Sequence, residues 1–184
     1  MRDATNGWLE RVSGALARDP GPQPVSRRVA QVALGAALAF AGTGHLTFGR
    51  EEFRAQVPPW IPMDDDVVVL ASGVVELGLA AGLVLARRRR APVGWLTAAF
   101  FVAIFPGNIA QFTEGREAFG LDSDAARAIR LAFQPVLVAW ALWSTQAWQA
   151  ARDGGVGRRR ALPGTGLGRG LPRPGDVPAR GGNR

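Results

Sequence analysis

A single carboxylate interrupts an otherwise apolar stretch of this sequence. Glu76 lies in the middle of ASGVVELGLAAGLVLA, residues 71–86, where the other side chains are apolar or small. A charged group at the centre of a hydrocarbon layer costs about 2.5 kcal/mol or more, so such residues usually face a partner or a cavity. A carboxylate in that position can pair with a cation or exchange a proton with a bound molecule.

Polar residues in three other apolar stretches fall at comparable depths. Arg130 and Gln134 are one helical turn apart and share a face. Pro106, two residues before Asn108, removes a backbone donor and frees a carbonyl. All these positions lie in the outer half or at the centre of a membrane-spanning bundle, which predicts one polar pocket. Its candidate residues are His45, Ser72, Glu76, Asn108, Arg130 and Gln134.

A proline-rich segment, VPPWIP at residues 57–62, precedes the stretch that carries Glu76. The prolines prevent this segment from forming a helix, and a tryptophan is favoured at a membrane interface. The segment is therefore predicted to lie over the mouth of the pocket. The candidate residues of the mouth are Pro58, Pro59, Trp60 and Pro62.

The elements that position these residues are four apolar stretches of about 20 residues, the length that crosses a ~30 Å hydrocarbon core. The predicted spans are 29–48, 67–86, 91–110 and 128–148. We therefore predict an all-α fold, a four-helix transmembrane bundle within residues 27–150. Gly78 and Gly82 form a small-xxx-small surface in the second span, which predicts close helix packing there.

Arginine distribution orients the bundle. All 22 basic residues are arginines, and 17 of them lie before the first span at residue 29, in the 87–90 turn and after residue 150. By the positive-inside rule both termini are cytoplasmic, and the protein is predicted to be a multi-pass protein of the cell membrane. The lipid bilayer therefore explains the basic charge, and no specific nucleic-acid partner is expected.

The two ends of the chain differ in composition from the bundle. Residues 1–26 form a cytoplasmic tail in which Trp8, Leu9, Val12 and Leu16 fall roughly on one helical face, typical of an interfacial helix, although a frayed tail fits equally well. Residues 151–184 are rich in arginine, glycine and proline and are predicted to be a disordered cytoplasmic tail.

Several classes of chemistry are excluded or disfavoured. The chain has no cysteine and one histidine, so it cannot provide thiol chemistry or bis-histidine haem ligation. No metal site or cofactor is evident, and no motif for hydrolysis or nucleotide binding is present. An autonomous enzyme is therefore the less favoured interpretation. A purely structural alternative also stays open, in which Glu76 pairs with Arg130 to hold two helices together.

The motifs in order resemble the DoxX family of small four-helix membrane proteins. They are AGTGHLTFGREEFRAQVPPWIP, SGVVELGLAAGLVLARRRRAPVGW, VAIFPGNIAQF and RLAFQPVLVAWA, covering about 29–148. Gly107 departs from the alanine more usual there. The resemblance implies a redox association through quinone-linked or oxidative-stress complexes, for a family whose members are mostly of unknown activity.

The sequence is compatible with three functions. The first is a redox-associated accessory subunit that binds a membrane or redox protein partner, or a quinone-like molecule, in the outer pocket. The second is a small-solute or proton-coupled transport protein with Glu76 as its titrating group, which would need a homo-oligomer because four spans are few. The third is a non-catalytic scaffold or assembly factor whose polar network only fixes the bundle.

Overall fold

The computed structural model describes residues 14, 20–116, 120 and 123–160, with 154–160 as helical backbone alone. Most of the predicted interfacial helix lies outside these residues. The described helices are α1 (Val25–Leu46), α2 (Arg50–Arg54), α3 (Asp65–Leu85), α4 (Arg90–Thr113), α5 (Asp124–Ser144) and α6 (Ala147–Arg160).

Four helices, α1, α3, α4 and α5, are long and apolar enough to cross a membrane. Their bounds lie within a few residues of the four predicted spans, and the described chain contains no strand, so the all-helical prediction is confirmed. Two helix starts carry the expected caps. The Asp64 carboxylate accepts from the backbone N–H groups of Asp66 and Val67, and the Ser123 hydroxyl accepts from that of Ala126.

The bundle consists of two helix pairs. α1 packs along α3, and α4 packs along α5, while contacts between the pairs are fewer. The first pair approaches closely at Gly42 and Gly73: a Cβ at Gly42 would lie 2.8 Å from the Gly73 carbonyl oxygen, and a Cβ at Gly73 would lie 2.8 Å from the Cβ of His45. Glycine is therefore required at both positions for this spacing.

The predicted packing role of Gly78 is wrong. Gly78 is exposed, and a Cβ added there would meet nothing within 4 Å. Gly82 does face a neighbour, because its added Cβ would lie 3.2 Å from Val93 on α4. The buried face of α3 runs through Gly73, Glu76 and Ala80 instead, and Gly78 lies about 200° around the helix from Glu76 at 100° per residue.

The C-terminal boundary of the bundle also differs from the prediction. α5 ends at Ser144, Gln146 adopts φ 60°, and the chain re-enters a helix at Ala147. Ala147 and Ala150 pack against Ala91 at the start of α4. Residues 151–160, predicted to be disordered, therefore continue a helix that is anchored to the bundle by small apolar side chains. Residues 161–184 lie outside the described residues.

The bundle has two ends that differ in their polar contacts. The terminal end comprises residues 20–31, 83–97 and 140–153, and the pocket end comprises residues 41–76 and 104–134. Between them lies an apolar layer formed by Leu34, Leu38, Ala80, Ala98 and Phe101, which Leu83 and Ala141 of the terminal end complete.

The terminal end is held by side chains that donate to carbonyl groups near helix ends. Gln31 donates to the carbonyl of Leu83 at 2.6 Å and accepts from Gln23 at 2.7 Å. Arg90 donates to Gln146 at 2.8 Å and to the carbonyl of Arg87 at 2.6 Å. The last carbonyl groups of a helix have no partner within it, so these bonds close the bundle at this end.

Candidate functional site

A cavity of about 590 Å³ occupies the pocket end of the bundle. It is lined by residues of α1, α3, α4 and α5 and by the segment between α2 and α3. All six predicted polar residues line this cavity: His45, Ser72, Glu76, Asn108, Arg130 and Gln134. Its deepest lining residues include Leu34 and Leu38, which belong to the apolar layer.

The proline-rich segment, predicted to lie over the mouth of the pocket, contributes Pro58 and Trp60 to the lining of the cavity. Pro59 and Pro62 are exposed and are not among the lining residues. The Arg116 guanidinium holds this segment, because it donates to the carbonyl groups of Ala55 at 3.1 Å and Val57 at 2.9 Å. The segment is therefore tied to the far end of α4.

Short helix α2, which leads into this segment, is tied to α3. Arg50 forms a two-point hydrogen-bonded ion pair with Asp66, one of its bonds measuring 2.6 Å. The hydrogen bond with Asp66 raises the pKa of Arg50 above its usual value. Arg50 is therefore charged at every physiological pH. Titration of the arginine does not break its ion pair with Asp66 in that range.

Glu76 pairs with His45 across the close contact of α1 and α3. The Nδ1 atom of His45 lies 3.1 Å from Oε2 of Glu76, and both side chains are at most 10% exposed. Nδ1 also lies 2.9 Å from the carbonyl oxygen of Ala41. Nδ1 therefore lies between two oxygens, and Oε2 of Glu76 has no hydrogen-bond partner in the described chain.

The alternative pairing of Glu76 with Arg130 is not what the structure contains. The ion pair of Glu76 is with His45, and Arg130 donates to Oε1 of Gln56 at 2.7 Å. Glu76 and Arg130 both line the cavity, so they reach it from α3 and α5 without joining these helices. Depth along a helix was predictable, but the partner depends on how each helix is rotated.

Asn108 and Gln134 join α4 to α5 at the cavity wall. Asn108 donates to Oε1 of Gln134 at 2.9 Å, and Gln134 donates in turn to the carbonyl of Phe101. Pro106 removes the helical donor of the Val102 carbonyl, the neighbour of Phe101. Gln134 therefore uses the carbonyl of Phe101 and not the Val102 carbonyl that Pro106 frees.

Two cavity residues were missed at the sequence level. Gln56 accepts from Arg130, and its buried Nε2 has no hydrogen-bond partner in the described chain. The Phe53 ring stacks on His45 with centroids 3.4 Å apart and planes 17° from parallel. Both residues lie within four residues of VPPWIP, so the available signal was their proximity to that segment. Neither lies in an apolar span, where buried polar residues are most conspicuous.

The remaining lining is mainly apolar and includes aromatic rings from each side of the cavity: Phe53, Trp60, Phe100, Phe101 and Phe133. Cavities of roughly 300–1,000 Å³ with apolar walls and a few convergent polar groups are typical small-molecule sites. Within the described residues, His, Asp and Glu do not gather in threes as a metal site would require. The arrangement suits an organic molecule with a ring and a polar head.

The family model of a domain of unknown function, DUF8561, matches residues 34–145. All six pocket residues fall within this range, whereas Gln31 and Gln146 of the terminal end fall outside it. No curated protein and no solved structure matches the chain.

Proposed function

The chain belongs to the DUF8561 family, and from that premise we propose that it is a membrane protein that binds a lipophilic, quinone-like small molecule in its cavity, as a redox-associated accessory subunit. The supporting observation is the carboxylate of Glu76. It is 5% exposed, lines a cavity of about 590 Å³, and has an oxygen that no group of the described chain satisfies. Leaving a buried polar atom unpaired is costly, and a bound molecule removes that cost.

The walls of the cavity favour a ring compound over an ion. Phe53 and His45 present stacked rings beside the carboxylate, and Trp60 lies at the opposite, loop side of the same cavity. Lipophilic ligands of this class enter from the bilayer, and their rings pack against aromatic side chains. The resemblance to the DoxX family, which implies a redox association, supports a quinone-like head in the same site.

The proposed topology follows from charge. Arginines concentrate at the terminal end and in the flanking tails, so both termini are cytoplasmic and the cavity opens toward the outer face of the cell membrane. An accessory role follows from the absence of cysteine in the chain and its single histidine. Electrons would therefore pass through the bound molecule and a partner protein.

A proton-coupled transporter is the second candidate, favoured by the buried Glu76 and His45 pair. Against it, the apolar layer and the hydrogen bonds of the terminal end close the bundle beyond the cavity. A binding site that opens at one end fits this layout better than a pathway with two openings.

The test is mass spectrometry of small molecules that co-purify with the protein extracted in native lipid. Wild type is compared with Glu76→Gln at equal folded yield. We expect a ring compound in wild type and at least a tenfold smaller amount in the variant. Glu51→Gln is the matched control, because it makes the same chemical change at an exposed carboxylate outside the cavity.

Two results would contradict the proposal. Equal amounts of the compound in wild type and Glu76→Gln would show that the carboxylate does not contribute to binding. Bulk lipid alone in all three samples would show that the cavity holds no specific small molecule. A search for protein partners would then take precedence.

A further inference from the structure

We infer that the ligand of this cavity donates a hydrogen bond to Glu76, so that the site selects a hydroxyl-bearing ring over its carbonyl counterpart. This inference rests on the proposed function and deepens it. For a quinone-like pair, it assigns the reduced, dihydroxy form as the one bound more tightly. The inference follows from which hydrogen-bonding atoms around the cavity are already used.

Three side chains of the cavity wall, Asn108, Gln134 and Arg130, donate to protein acceptors. Asn108 donates to Gln134 at 2.9 Å, Gln134 donates to the Phe101 carbonyl, and Arg130 donates to Gln56 at 2.7 Å. A carbonyl head would have to compete with these acceptors for the donors. Bonds between helices and loop would then be exchanged for bonds to the ligand, with little net gain.

The acceptor side of the cavity is different. Oε2 of Glu76 is buried without a hydrogen-bond partner in the described chain. The Nδ1 atom of His45 lies between Oε2 and the Ala41 carbonyl oxygen, at 3.1 Å and 2.9 Å. A hydroxyl group that reaches the Glu76 carboxylate from the cavity therefore gains an acceptor and displaces no hydrogen-bond donor of the described chain. A carbonyl oxygen at the same point faces another oxygen and is repelled.

A second unmet atom suits the same type of head. Nε2 of Gln56 is a buried donor without a partner in the described residues, and Gln56 lines the cavity. A hydroxyl oxygen can accept as well as donate, so a dihydroxy ring can serve both Gln56 and Glu76. A diether can accept at Gln56 but cannot donate to Glu76, which makes it the informative comparison.

The experiment uses three compounds with one alkyl chain: the 1,4-dihydroxybenzene, its dimethyl ether and its 1,4-quinone. Equilibrium dialysis against matched detergent micelles measures their binding to the purified full chain. The dihydroxy compound is kept reduced under anaerobic conditions. We expect it to bind wild type about tenfold more tightly than either of the others, since only its hydroxyl can donate a hydrogen bond to the Glu76 carboxylate.

The same comparison is made in two variants. In Glu76→Gln, the acceptor is neutral, and we expect the preference for the dihydroxy compound to fall to about threefold or less. In the control, Glu51→Gln, the preference stays at its wild-type value. The wild-type comparison does not depend on either variant, so it decides the matter even where Glu76→Gln fails to fold.

The outcomes separate the inference from the proposed function. If the quinone or the diether binds as tightly as the dihydroxy compound, the inference is overturned and the cavity remains a binding site for ring compounds. A dihydroxy preference that persists unchanged in Glu76→Gln also overturns it, because the selectivity then arises elsewhere. If none of the three compounds binds, the proposed function and the inference both fall.

Discussion

Gln31 at the terminal end and Glu76 at the pocket end are both almost completely buried, yet their surroundings differ. Gln31 donates to the Leu83 carbonyl and accepts from Gln23, whereas one oxygen of Glu76 receives no hydrogen bond from the described chain. A satisfied polar group contributes to stability, and an unsatisfied one opposes it. The polar residues of the terminal end are thus satisfied within the fold, whereas the pocket end keeps a buried acceptor without a partner in the described chain, as the proposed ligand site requires.

Arg90→Ala should produce the largest loss of stability. Its buried guanidinium donates to Gln146 and to the carbonyl of Arg87, and its removal leaves these acceptors unpaired at the junction with α6. We expect a loss of about 3 kcal/mol in the free energy of unfolding, from hydrogen bonds to a charged donor. Unfolding in detergent, followed by circular dichroism, measures it. An unchanged unfolding midpoint would show that the terminal end does not hold the bundle.

Gly73→Ala should produce the next largest effect. The added methyl group would lie 2.8 Å from the Cβ of His45 and 3.0 Å from the Gly42 carbonyl oxygen. α1 and α3 must then separate, which costs about 2 kcal/mol by analogy with overpacked cores. The control on the same helix is Gly78→Ala, which meets nothing within 4 Å and should gain about 0.5 kcal/mol. Equal stabilities for the two variants would contradict the glycine contact.

Arg116→Ala tests the loop wall of the cavity. Its guanidinium donates to the carbonyl groups of Ala55 and Val57, so its removal frees the segment that carries Trp60. The stability loss should be about 1 kcal/mol, since this arginine is partly exposed. Trp60 is in the freed segment, so its fluorescence anisotropy should fall. A rigid Trp60 in the variant would show that other contacts position the wall.

Glu76→Gln should have the smallest effect on stability, under about 0.5 kcal/mol, because it keeps the shape of the side chain and Oε2 accepts no hydrogen bond within the described chain. The same variant should lose bound ligand. Unfolding of the ligand-free protein checks the first point. A loss above about 2 kcal/mol would instead match the cost of breaking a structural buried pair and would favour the scaffold interpretation.

Much of the fold was predictable because span length and charge pattern are properties of the chain itself. The positions of His45, Glu76 and Asn108 along their helices were sufficient to predict that they share a cavity, since depth follows from a fixed rise per residue. Rotation of each helix about its axis was not predictable, because apolar residues surround α3 on every side. The packing contact of α3 was consequently predicted at Gly78. It is made by Gly73, which lies three residues before Glu76 and on the same face of the helix.

The terminal end escaped prediction for a different reason. Gln31 and Arg90 lie at the edges of apolar stretches, where polar residues normally meet water or lipid head groups. Their burial arises only because α6 and the segment before α1 fold over them, as the bonds of Arg90 to Gln146 and of Gln23 to the Ser144 carbonyl indicate. Such long-range contacts leave no local periodicity in the sequence.

The close approach of α1 and α3 has a mechanical consequence. Two helices in contact at Gly42 and Gly73 have no side-chain layer to deform, so this pair moves as one rigid body. Bonds across the terminal end, such as that from Trp140 on α5 to the Ala30 carbonyl at 3.0 Å, restrain separation of the two pairs there. We therefore expect any separation of α1/α3 from α4/α5 to hinge about the terminal end, and such widening of the cavity would have to break the bond from Arg130 to Gln56.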